Sequence, residues 1–178
     1  MLRKTLINLT LIFVSFIIYY LQSNFFSWFN ISGIMPNLFV VLILFIGLFA
    51  NKSIGIIYGL VIGLILDFLI GTKIGIYVLA LGLIGYLAGI FDKNFSKDTK
   101  MNIIVMVSGA TIVFEGVTYL LKYVFLGMSV EIVNFVIILL IEIVFNILLT
   151  IILYPLIQSY GYYVENEFKG NKILTRYF

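Results

Sequence analysis

Three carboxylates sit inside stretches that are otherwise apolar: Asp67 in GLVIGLILDFLIG (residues 59–71), Glu115 and Glu142. A carboxylate taken out of water is costly, so each needs a partner, a path to water or a structural purpose. Glu115 belongs to a stripe of Ser108, Thr111, Glu115, Thr118 and Lys122 at offsets 0, 3, 7, 10 and 14, the a and d positions of one helix face. Glu142, Asn146 and Thr150 follow at i, i+4 and i+8. By residue count both glutamates lie near the middle of their segments, where such groups face a bundle interior or a wet cavity. Two carboxylates there, with no arginine or histidine nearby, can share a proton. Three readings are open for these seams. They are hydrogen bonding between helices, a pocket or proton path for a small polar ligand, and a surface for another protein's transmembrane helix.

Asp67 lies on a ridge of small residues. Gly55, Gly59, Gly63, Asp67 and Gly71 recur every fourth position, and neighbours at that spacing are offset by only about 40° around a helix. Inside a bilayer, close packing over glycine drives helix association, because apolar side chains gain nothing by leaving lipid. Gly75, Gly82, Gly85 and Gly89 answer at offsets 0, 7, 10 and 14, across the short turn GTKIG. A tight hairpin packed over these eight glycines is predicted. Asp67 then lies about one turn from the outer end of its helix. It is expected to be hydrated, to pair with Lys73, or to accept hydrogen bonds from the start of the next helix, where the positive dipole end lies. An asparagine there should keep most of the bonding.

The elements that must position these groups are helices in a membrane. The chain of 178 residues is 63% hydrophobic and 11% charged; soluble domains average about 25% charged. Six apolar segments can be drawn, near 5–22, 36–50, 54–70, 75–91, 101–124 and 132–154, with a tail at 155–178. The N-terminal run is basic and then apolar for about 18 residues with no small-x-small site after it, so it reads as a retained first span. Pro36 suits the first turn of the short second segment. With a cytoplasmic N-terminus, nine of the 11 basic residues fall inside and only Lys73 and Lys122 outside, a positive-inside pattern. The expectation is an all-α, single-domain bundle of six spans with both termini cytoplasmic. The aromatic loop at Phe25, Phe26, Trp28 and Phe29 suits the membrane–water boundary. The basic excess is a topology signal and an attraction to anionic lipid, not a nucleic-acid surface.

The chain has no cysteine and no histidine. That removes thiol chemistry, the commonest general base and the commonest metal ligand. It carries no phosphate-binding loop and no nucleophile elbow. No catalytic, cofactor-binding or metal-binding residue is assigned.

The run MPNLFVVLILFIGLF, followed by GLVIGLILDFLIGTKIGIYVLALGLIGYLAGIF, resembles the rod shape-determining protein MreD family. The features that carry the likeness are Pro36, the glycine-spaced helix ending in Asp67, then Gly71, Gly75, Gly82, Gly85, Tyr86 and Gly89. They are strongest over about residues 35–91. The resemblance implies a non-catalytic scaffold of the bacterial inner membrane that binds MreC, a single-span protein. Such proteins work beside the MreB filament, the glycosyltransferase RodA and its transpeptidase. It also implies a fold similar to the substrate-binding component of energy-coupling-factor transporters. That keeps a transport reading open, with Glu115, Thr118, Glu142 and Asn146 lining a pocket. A membrane enzyme using two carboxylates is the third reading.

Overall fold

The computed structural model describes residues 2–70, 73–127, 129 and 131–170, and these form an all-helical bundle without a β-strand. Helix α1 (Leu2–Tyr20) runs through a π-helical turn (Leu21–Phe25) into a last short turn (Phe26–Trp28). It is followed by α2 (Leu38–Phe49), α3 (Lys52–Ile70), α4 (Ile76–Asn94), α5 (Lys100–Leu126) and α6 (Ile132–Lys169). Five of these are long and apolar enough to cross a membrane; α2, with 12 residues, is shorter. Its axis is about 18 Å long against a hydrocarbon core of about 30 Å.

Helix α2 is the centre of the bundle. Every residue from Leu38 to Phe49 except Leu42 is buried, which suits a helix that is apolar on all sides. The reading that put Pro36 in its first turn is corrected here. The helix starts at Leu38, and the Asn37 side chain caps it by accepting from the Val40 amide at 3.4 Å. Asparagine is a preferred cap because its oxygen takes up a helix-end amide.

The outer helices face away from this centre. On α1 only Ile7 and Leu11 are buried. On α6 the buried residues of the apolar run are Glu142, Asn146, Thr150 and Tyr154, while Val136, Leu140, Val144, Leu148 and Ile152 are exposed. An apolar exterior over a polar seam is the arrangement expected of a helix that has lipid on one side and protein on the other.

Helix α6 does not stop near 154. It continues to Lys169 with Pro155 inside it, although proline removes one helix hydrogen bond. Contacts on either side of the proline hold it: the Tyr154 hydroxyl donates to the Asp98 carbonyl at 3.1 Å, and the Tyr162 hydroxyl donates to the Asp98 carboxylate. The first loop is also shorter than expected. Phe25, Phe26 and Trp28 are helical, with the Phe25 ring 5.2 Å from Phe26 and 4.9 Å from Phe29.

Candidate functional site

The hairpin of α3 and α4 is packed backbone to backbone. A Cβ on Gly63 would lie 2.6 Å from the Val78 Cα, and one on Gly55 would lie 2.7 Å from the Gly47 Cα in α2. A Cβ on Gly59 would run into the Leu81 carbonyl oxygen, and one on Gly85 into the Gly55 carbonyl. Gly89 faces the Lys52 side chain, whose ammonium lies 3.8 Å from the Tyr86 ring centroid. Gly82 meets only the tip of Leu60. Gly75 packs against nothing; it adopts a φ of 116° at the cap of α4, a conformation that disfavours any side chain. Gly71 lies outside the described residues. Sequence spacing missed two close approaches, Gly47 against Ala88 and Gly161 against the Phe49 ring.

Asp67 closes the hairpin. It is 1% exposed. Its Oδ2 accepts from the amides of Gly75 (2.7 Å) and Val78 (3.3 Å), and its Oδ1 from the amide of Tyr77 (2.9 Å). Three of the orphan amides that every helix start presents are thus satisfied by one side chain from the preceding helix. Of the three environments open to Asp67, the structure selects the helix-start amides. Lys73 does not pair with it, donating instead to the Phe125 carbonyl at 2.5 Å at the end of α5.

The seams of α5 and α6 meet at the start of α2. Asn146 Oδ1 accepts from the Asn37 amide at 2.8 Å, and its Nδ2 donates to the Thr111 hydroxyl at 2.9 Å. Glu142 is brought beside Glu115, Asn37 and Asn146. Even so, Glu142 Oε1 and Thr150 Oγ1 are buried without a hydrogen-bond partner among the described residues. Thr118 bonds back to the Phe114 and Glu115 carbonyls, and Ser108 to the Ile104 carbonyl. The α5 stripe therefore divides: Thr118 and Ser108 bond back along their own helix, while Thr111 bonds across to Asn146 and Glu115 faces Glu142.

Two cavities of about 360 Å³ and 310 Å³ adjoin these seams, and Glu115, Thr118 and Lys122 line both. Glu142 and Asn146 lie behind their walls and are not part of the lining. No group of three or more His, Cys, Asp and Glu side chains among the described residues could hold a metal ion.

The opposite end of the bundle carries a second polar cluster, which sequence spacing did not reveal. Lys97 Nζ lies 2.9 Å from Asp92 and 2.6 Å from Glu165, and Lys169 Nζ lies 2.7 Å from Asp92. Both ammonium groups also donate to the Leu48 carbonyl, at 3.2 Å and 2.6 Å, near the end of α2. Cations there complement the negative end of a helix. Burial pulls the Lys97 ammonium down, but the hydrogen bonds to Glu165 and Asp92 outweigh it and raise its pKa above the ordinary value. These contacts fasten α2, α4 and α6 together. Lys97→Ala leaves Glu165 with only the longer 3.7 Å contact to Lys169 and is expected to cost about 2 kcal/mol, the scale of a charge-assisted hydrogen bond. A lower thermal midpoint in detergent with faster proteolysis near Lys169 is the result expected; an unchanged midpoint and cleavage rate count against the lock.

Compared with known families, residues 3–163 match the family model of rod shape-determining protein MreD. No curated protein matches the chain, and no solved structure does.

Proposed function

The chain belongs to the MreD family of rod shape-determining proteins, and we propose that it serves as a non-catalytic scaffold of the elongation complex in the bacterial cytoplasmic membrane. In this reading it binds MreC directly and helps couple cell-wall synthesis to rod shape, with RodA, its transpeptidase and MreB reached indirectly. The observation that carries the reading is the family match over nearly the whole chain. The bundle is suited to such a role: its hairpin, central helix and polar clusters are fastened to each other, and α1 and α6 present broad apolar exteriors to lipid and neighbours. Purification from native membrane under mild detergent tests the partner. MreC should be retained in near-stoichiometric amount. Its absence, with an ATPase pair retained instead, would support the second reading, a substrate-binding subunit of an energy-coupling-factor-type transporter for a small molecule such as a vitamin. The cavities that meet at Glu115 are the feature favouring that alternative.

The scaffold reading takes α2 as a sixth, short span and both termini as cytoplasmic. Arg3 pairs with Glu167 at 3.0 Å, and Lys4 lies over the Phe168 ring, so the basic N-terminus and the end of α6 share one end of the bundle with Lys97. Lys73 and Lys122 lie toward the other. The positive-inside pattern makes the Lys97 end cytoplasmic. In this cysteine-free chain, Ser27→Cys and Ser129→Cys should react with an impermeant maleimide on intact cells, and Ser53→Cys should not. Labelling at Ser53 alone would invert the orientation.

A further inference from the structure

The larger of the two cavities is lined by a carboxylate, Glu115, and a cation, Lys122, both from α5. Gln22 lines it, and Gln22 Oε1 is buried without a partner among the described residues. Glu115 lines it from the facing helix, and just behind Glu115 stands Glu142, 5% exposed, with Oε1 also unpartnered. The Glu115 side chain, which does line the cavity, suits an occupant that brings donors. Two aromatic rings, Tyr77 and Phe114, 6.1 Å apart, also line the cavity. Ring faces attract an ammonium group. Two helical turns along α5 from Glu115, Lys122 lines the same cavity and forms no ion pair among the described residues. The separation of Glu115 and Lys122 along the axis is about 10 Å, and the lysine stem can close much of it. A carboxylate and a cation two turns apart on one wall describe a site for a molecule with opposite charges at its two ends. The volume of about 360 Å³ lies in the range of small-molecule sites.

We infer that this cavity binds a small zwitterion, with a primary ammonium group at Glu115 and an anionic group at Lys122. The same chemistry is offered by the headgroup of an aminophospholipid and by a soluble amine bearing a phosphate or carboxylate. The inference does not depend on which protein the scaffold binds.

The test uses the full chain purified in detergent. Short-chain phosphatidylethanolamine and phosphatidylcholine form one pair of probes, and soluble phosphoethanolamine and phosphocholine the other. Binding is read by native mass spectrometry and by the rise in thermal midpoint. The choline forms keep both charges but have no N–H to donate. Losing a charge-assisted hydrogen bond should therefore weaken their binding about tenfold relative to the ethanolamine forms. Preference for the lipid alone identifies a membrane source, and equal preference for the soluble form identifies a free zwitterion. Glu115→Leu should abolish the preference. Lys122→Ala, which breaks no ion pair, should weaken the ethanolamine forms about tenfold and so separates lost binding from lost folding. Equal binding of the ethanolamine and choline forms, no binding of either, or unchanged binding by Lys122→Ala would each overturn the inference.

Discussion

Gly85→Leu is expected to remove the protein from the membrane fraction. A Cβ at this position would overlap the Gly55 carbonyl and lie 2.5 Å from the Ile56 amide nitrogen. These are backbone atoms of α3 itself, so no side chain can swing aside. The two helices must separate, and the approaches at Gly59 against Leu81 and Gly63 against Tyr77 and Val78 are lost with them. Overpacking a core costs about 1–3 kcal/mol when side chains can adjust; here the displaced contact is the one that holds α3 to α4, and the loss should exceed that range. Gly63→Leu should behave alike. Gly82→Ala should be mild, since only the Leu60 tip stands in its way. Gly116→Leu is the control, because nothing lies within 4 Å of a Cβ there. Immunoblots of membrane fractions decide the matter: Gly85→Leu accumulating to the level of Gly116→Leu would show that the ridge carries no packing.

Glycines at every fourth position are visible in a sequence because the helix repeat alone brings them to one face. The partner face of α4 follows the same logic. What the spacing cannot show is why each glycine is there. Gly75 and Gly85 look equivalent on paper, yet one is set by backbone conformation and the other by close approach. Gly47 has no repeat around it, since every neighbour in α2 is apolar, and only the crossing with Ala88 makes its small size matter. The lysine cluster was hidden for a related reason. Lys97 and Lys169 are each readable as basic residues flanking a span, but their shared acceptor, the Leu48 carbonyl, is 49 and 121 residues away. No local pattern encodes a backbone carbonyl as a partner. The polar seam of α6 lies between these cases: Glu142, Asn146 and Thr150 announce a buried face, while the selection of the Asn37 amide as partner depends on where the short central helix begins.

Asp67 gives the second large effect, and geometry changes what its sequence position suggested. Asp67→Leu should lower stability by about 3 kcal/mol or more, because three amides at the start of α4 lose their acceptor and a buried unsatisfied donor costs about 1–3 kcal/mol. By sequence position alone, Asp67→Asn keeps the shape and most of the hydrogen bonding and is expected to be tolerated. The aspartate, however, accepts on both oxygens, Oδ2 from Gly75 and Val78 and Oδ1 from Tyr77. An amide has one oxygen. If it takes the place of Oδ2, the amide nitrogen points at the Tyr77 N–H, donor against donor; in the other orientation it points at two donors. The favourable interaction of a negative charge with the helix start is also lost, up to about 2 kcal/mol in buried geometry. The expected order is therefore wild type above Asp67→Asn above Asp67→Leu, with asparagine clearly below wild type. Lys73→Ala should leave this ranking alone, since Lys73 bonds to Phe125 and not to Asp67. Thermal unfolding of the purified full chain, at matched detergent and pH, provides the measurement. Asparagine equal to wild type would mean that the two oxygens are not both needed, and leucine equal to asparagine would mean that the α4 amides find other acceptors when the side chain is gone.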